Sequence, residues 1–288
     1  MICHAKLTPG PGFRPIKAVL YYSMRLLPFV WSRRLISFLL ASGINLLSRK
    51  TTVIDLPDNE TNINTTVIQA LREKGWAPLK PLLSATQTAD ILSFLGTKEP
   101  VGIGRQSYQL DDVLRCPHVL SAINHPTVLR IAQAYLGCPP TISSIGIHLT
   151  IPTIGQPVSV QRFHRDADEW KFFKLFVYLS DVDEESGPHE FVEGSQRSSG
   201  SILSVPYAED ALYRSYGRDK IRKIVGGKGT TFIADTWGIH RGNIPTSRPR
   251  LILQVQYSIL PITMFDYKPL NIAFPKNIDR YTNRLLLA

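Results

Sequence analysis

The chain has 288 residues, 43% hydrophobic and 19% charged, with a mean hydropathy of −0.04, which excludes wholesale disorder and accommodates one large domain or two small ones. The net charge of +10 invites a nucleic-acid partner, but its distribution excludes one. Residues 1–50 carry eight Lys/Arg and no carboxylate, whereas the remainder holds 25 basic and 23 acidic side chains and is close to neutral. The three cysteines, Cys3, Cys116 and Cys138, are far apart without a CxxC pair, which suits reduced thiols and a cytoplasmic setting.

The N-terminal segment reads as two helical pieces split at Pro28, the second over 29–47. Its uncharged apolar run, 35–47, falls short of the roughly 20 residues that span a bilayer, and Arg33 and Arg34 interrupt any longer span. A secretory signal fits poorly, since no small-residue cleavage site follows. Arg34, Ser37, Ala41 and Asn45 form a narrow polar stripe at helical spacing. Three readings of residues 1–50 stand. One is a helical arm packed on its own domain or on a second subunit. Another is a basic amphipathic segment in peripheral contact with an anionic membrane. The third is an organellar targeting peptide. The oligomeric state is left open.

Residues 51–63 read as a polar linker before a helix over 65–74, which Gly75 ends. A short strand is predicted over 76–83, and then a helix that Ser84 caps and that runs to Leu95. Residues 111–136 carry helical patterns broken at Pro117 and Pro126, with Gly137 as C-cap. Beyond residue 140 the texture becomes β-rich. Strands are predicted over 141–153, 158–164, 170–179, 190–194, 229–234, 238–241 and 251–260, with a helical insertion over 208–225. Many short strands separated by turns suggest a sandwich or jelly roll.

The chemistry-bearing residues lie among these strands. His164 and Asp166 are spaced to share one face at a strand end, His240 sits on a later short strand, and Arg250 opens the last long one. Two histidines and one carboxylate on a β scaffold make the facial set that holds non-haem Fe(II) with open positions. A neighbouring arginine can grip a carboxylate through two hydrogen bonds. Each residue alone is weak evidence, and their order supplies the argument.

Four stretches carry a resemblance: HRDAD (164–168), KLFVYLSDVDEESGPHEFVEGS (174–195), GKGTTFIADTWGIHRGN (227–243) and RPRLILQVQYS (248–258). Together they resemble the phytanoyl-CoA dioxygenase family of Fe(II)- and 2-oxoglutarate-dependent oxygenases. The likeness is strong in the C-terminal half, weaker over 64–95, and absent from the first 50 residues. It implies an α+β, mainly β fold: a double-stranded β-helix (jelly-roll, cupin-like) core at about 141–262 with N-terminal helices packed against it. The oxygenase domain would then be 51–288, with 1–50 as a separate arm. It further implies that His164, Asp166 and His240 bind Fe(II) and that Arg250, preferred over Arg248, pairs with 2-oxoglutarate. Phe176 would lie beside the co-substrate. Gly242 stands where the family has a hydroxyl residue, and Gln196 where it tends to have His. The implied activity is hydroxylation of an unactivated carbon with O₂, yielding succinate and CO₂. Asp166 favours this over halogenation, since related halogenases have a small residue there. The expected substrate is a small or lipid-like molecule. The alternatives are a non-catalytic or membrane-associated binding protein on a retained jelly roll, and a metal-dependent isomerase or sugar-binding cupin.

Other residues receive plainer readings. His189 reads as a strand-edge residue, and the acidic run Asp181, Asp183, Glu184, Glu185 as a solvated turn. Trp170 and Trp237 flank the ligands as pocket or core residues. Strand parity turns Gln161 away from His164, while His148 is a candidate pocket residue. Arg165 and Arg241 bind either an anionic substrate or internal carboxylates.

Overall fold

The computed structural model describes residues 2–47, 58–152, 161–200, 206–272 and 278–288. It begins with a strand β1 (Ile2–His4) and two helices, α1 (Pro15–Leu26) and α2 (Val30–Leu47), split at Pro28 as the sequence suggests. Then come α3 (Asp58–Glu73), β2 (Trp76–Leu79), α4 (Ala85–Leu95), β3 (Arg105–Ser107), α5 (Leu110–Arg115), α6 (Val119–Ile123) and α7 (Pro126–Leu136). Ser84 closes a capping box with Gln87 at the start of α4, and Gly137 ends α7 in the left-handed conformation that glycine adopts without strain.

The β-rich half contains β4 (Thr141–Thr150), β5 (Phe172–Tyr178), β6 (His189–Val192), the helix α8 (Glu209–Tyr216), β7 (Ile221–Ile224), β8 (Thr231–Ala234), β9 (His240–Gly242), β10 (Arg250–Ser258) and β11 (Phe265–Tyr267), before the short helix α9 (Arg280–Asn283). A six-stranded antiparallel sheet has the order β2-β8-β5-β10-β4-β3, and a three-stranded one the order β7-β6-β9. Period-two alternation sorts the large sheet's side chains. Phe173, Leu175 and Val177 of β5 and Leu251, Leu253, Val255 and Tyr257 of β10 join the core beneath the helices. Phe176, Tyr178 and Ile252 point the other way and pack with Phe191 and Ile224 of the small sheet. The gap between the two sheets is where the candidate site lies.

Three expectations need correction. The helix predicted from 65 begins at Asp58, because polar composition does not distinguish a linker from the first turns of a helix whose apolar positions come later; residues 51–57 of that linker lie outside the described residues. In the insertion expected to be helical over 208–225 the α-helix ends at Tyr216, where Gly217 has φ 91°; a 3-10 turn over Arg218–Lys220 follows, and Ile221–Ile224 pairs as β7 with β6. Of the strand expected over 158–164, residues 158–160 are outside the described ones, and 161–164 make only isolated bridges, Phe163 with Tyr207 and His164 with His240.

The arm packs on its own domain. β1 pairs with β11, Lys17 donates to Asp266 at 2.6 Å, and Asn45 donates to the Gly137 carbonyl at 2.7 Å. Arg33 of α2 is 5% exposed, with its guanidinium 3.9 Å above the Trp237 ring, and it donates to the backbone carbonyls of Glu169 and Trp170. Beside it lies a cavity of about 620 Å³ between α2 and the jelly roll, with Ser37, Trp170 and Lys171 in its wall.

Candidate active site

His164 and Asp166 lie on an irregular segment, and backbone bonds tie them to the segment of β9. His164 and His240 exchange N–H···O bonds at 2.9 and 3.0 Å, and the Asp166 amide donates to the Thr236 carbonyl at 2.9 Å. These bonds replace the expected strand as the device that brings the ligands together. One ligand atom from each of His164, Asp166 and His240 falls within 4.8 Å of the others. The His164 Nε2 is 3.5 Å from Asp166 Oδ1, and the His240 Nε2 is 3.4 Å from Oδ2.

Each imidazole is oriented from behind. His164 Nδ1 meets the Arg162 carbonyl at 2.8 Å, and His240 Nδ1 meets the Gly238 carbonyl at 2.9 Å. A carbonyl only accepts, so each Nδ1 carries the hydrogen and each Nε2 turns a lone pair to the common point. Burial lowers the basicity of His240, and the His164 charge adds to this. Burial also acts on His164, but the hydrogen bond and charge of Asp166 outweigh it and hold that imidazole above its usual value.

Lys174 is a site residue that sequence reasoning missed, as are Thr150 and Arg105. It is buried on the cavity face of β5, with Nζ 2.7 Å from Asp166 and 3.3 Å from Asp168. Burial alone would raise the Asp166 carboxyl, but Lys174 and His240 hold it well below the usual range. Period-two parity with Phe176 was the signal that could have revealed it.

A cavity of about 100 Å³ joins these groups to Arg250, Phe176, Gly242, Thr150 and Arg105. Arg250 is buried, and its Nε and Nη1 have no hydrogen-bond partner. Burial lowers its pKa. Arg248, its competitor in the sequence, is an exposed residue paired with Asp183 and Glu185 at 3.7 Å from the latter. Gly242 is in tight register with the arginine, since a Cβ there would stand 2.7 Å from Arg250 Nη2. Thr150 is directly opposite Arg250 across the β10–β4 ladder, and its buried hydroxyl is likewise unpartnered. Arg105, opposite Thr150 on the other side, also lines the cavity.

Several minor readings change. His189 opens β6 at its edge, and it is buried between Phe176 and His240, where burial drives its pKa well down, so the ring is neutral. Gln161 lines the cavity with His164, because strand parity does not apply to an irregular segment. His148 is bonded to Ser107 at 2.8 Å and does not line this cavity. Arg241 pairs with the internal carboxylates of Glu190 and Glu209. Arg165 instead donates to the carbonyls of Ser195 and Trp237 and to the Ser198 and Tyr207 hydroxyls. The acidic run is a turn, with Asp183 accepting from Glu185 and Ser186, and Gln196 donates to the Arg72 carbonyl, away from the cavity.

No family model and no curated protein matches the chain. Solved structures share its architecture. EctD from S. alaskensis with 2-oxoglutarate and 5-hydroxyectoine aligns with a TM-score of 0.55 at 18% identity, over 77% of this chain and 83% of that one. The non-haem alpha ketoglutarate dependent carbocyclase SnoK from nogalamycin biosynthesis aligns with a TM-score of 0.51 at 19% identity, over 70% and 87%. The epimerase SnoN, in complex with Fe3+, alpha ketoglutarate and nogalamycin RO, gives 0.50 at 19%, over 77% and 93%. At these identities the likeness is one of fold. The chain has the jelly-roll, cupin-like double-stranded β-helix seen in these proteins, with N-terminal helices packed against it.

Proposed function

We propose that the chain is a non-haem Fe(II)- and 2-oxoglutarate-dependent dioxygenase of the phytanoyl-CoA dioxygenase kind, hydroxylating an unactivated carbon of a small or lipid-like molecule. One observation carries this reading. The His164–Asp166–His240 set shares a cavity with a buried arginine that has orphaned donors. Two imidazole nitrogens and a carboxylate suit Fe(II), and the open nitrogens of Arg250 beside the Thr150 hydroxyl suit a dicarboxylate.

In this reading His164, Asp166 and His240 hold the metal, which with 2-oxoglutarate and O₂ supplies the oxidising power. Arg250 receives the distal carboxylate of the co-substrate. Thr150 offers in space the hydroxyl that Gly242 lacks in sequence, since cross-strand neighbours share a face. Phe176 and the neutral His189 wall the cavity and keep water from it. The domain assignment follows: an oxygenase domain over 51–288, with 1–50 as an arm.

The test is succinate formation from 2-oxoglutarate by purified protein with Fe(II) and O₂. Turnover abolished by Asp166→Ala is the expected result. A protein that binds neither Fe(II) nor 2-oxoglutarate would sink the reading and leave a non-catalytic binding protein.

A further inference from the structure

The polar stripe and the apolar face of α2 are used in an unusual sense. Its buried residues are Ser32, Arg33, Ser37 and Ala41, so the helix docks through its small and polar side. The apolar side is left outward: Trp31 is 67% exposed and Phe38 68%, with Leu35, Leu39 and Leu46 beside them. Of the sixteen well-exposed large apolar side chains among the described residues, thirteen lie within residues 16–47. A soluble surface rarely concentrates its apolar side chains in this way without a partner.

We propose that residues 15–47 are a peripheral docking surface for an anionic lipid bilayer. The charges select this occupant. Residues 1–50 hold no carboxylate, Lys6, Arg14 and Arg34 are exposed, with Arg14 beside Asp266, and Arg34 lies on α2 at helical spacing from Trp31 and Phe38. Cations bordering a face of Trp, Phe and Leu match acidic headgroups above acyl chains. A second copy laid arm against arm would bring Arg34 toward like charges with no carboxylate from either arm to pair with them. No described helix is long and apolar enough to cross a membrane, so the arm lies on the surface. Arg33, clamped over Trp237, fixes the outward orientation, and the jelly roll is thereby held against the bilayer through a rigid contact.

The experiment is sedimentation of the full chain with vesicles of mixed phosphatidylglycerol and phosphatidylcholine, and with pure phosphatidylcholine vesicles. Binding is expected with the anionic vesicles, weakened by salt and by the loss of phosphatidylglycerol. Trp31→Asp with Phe38→Asp is expected to weaken partitioning at least ~10-fold, since two large apolar contacts are lost. Arg34→Glu tests the charge term by itself and is expected to weaken binding to anionic vesicles alone. Unchanged melting temperatures verify that the variants fold. Absence of wild-type binding, or equal binding by wild type and the double variant, overturns the proposal. So does a wild-type dimer in solution that the double variant converts to monomer, which would make the face a subunit interface.

Discussion

Gly242 and Arg250 occupy one another's space: a Cβ on the glycine would stand 2.7 Å from Nη2 of the arginine. The residue at 242 therefore sets where the guanidinium can rest. Gly242→Ala is expected to displace Arg250 and raise the KM for 2-oxoglutarate by roughly 10-fold, with kcat nearly retained. Arg250→Leu should raise it roughly 10- to 100-fold, the worth of a charge-assisted pair. Arg248→Ala, on the surface, should leave KM unchanged. Steady-state succinate assays separate the three.

Lys174 is a cation between two carboxylates, Asp166 and Asp168. Lys174→Met leaves both partly buried acids without their counter-charge. The metal-free variant should lose roughly 2–4 kcal/mol of stability, less than for a fully buried pair because Asp168 keeps some exposure. A divalent ion replaces the missing charge, so adding Fe(II) anaerobically should raise the Tm of the variant by more than that of the wild type. Equal increments would show that Lys174 does not govern the charge balance of the site.

Glu169 supplies a pH dependence outside the ligand set. Burial pushes its carboxyl up to about 7, although backbone N–H groups such as that of Lys171 favour the anion. The folded state thus binds the proton more tightly than the unfolded chain. Stability is expected to fall as pH rises from about 4.5 to about 7 and then to level off, at a cost on the order of 3 kcal/mol. Glu169→Gln removes this slope, so its Tm should exceed that of the wild type by more at pH 8 than at pH 5. Differential scanning calorimetry at the two values gives the comparison.

Arg33→Leu removes the clamp between arm and jelly roll. The carbonyls of Glu169 and Trp170 lose their donor, and Trp237 loses the cation above its ring. The expected loss is about 3 kcal/mol of docking energy. Limited proteolysis should then cut within the first fifty residues well before the wild-type chain is cut, with the remainder intact. Simultaneous digestion of the whole chain would count against a separable arm.

The strands β5 and β10 were legible in the sequence as β-rich runs over 170–179 and 251–260, whereas which of their side chains meet the helices and which the small sheet was not read from it. His164, Asp166, His240 and Arg250 were singled out through their order along the chain, and they line one cavity. What was not legible depends on partners remote in sequence. Lys174 belongs to the site only because Asp166 and Asp168 fold back over β5, and Thr150 only because β4 lies beside β10. Gln161 was misread because the segment before His164 is fixed by bridges to Tyr207 and His240 and does not follow a strand's period. The face on which α2 docks was hidden too. Composition would bury Trp31 and Phe38, but the buried Arg33 and its carbonyl partners decide otherwise.

The backbone bonds between the His164–Asp166 segment and the chain at Thr236 and His240 draw the two histidines and the carboxylate together through main-chain contacts. Under the proposed function, an ion would then enter a cleft whose backbone is already tied at folding. Assembly and loading are separable in time: chelation should leave a folded apoprotein that reloads within a single binding step. A cleft of two imidazoles and a carboxylate would also take other divalent ions of the first transition row, some of them more tightly than iron. Under the proposed function, the supply of metal in the cell would therefore help to decide which ion such a cleft holds.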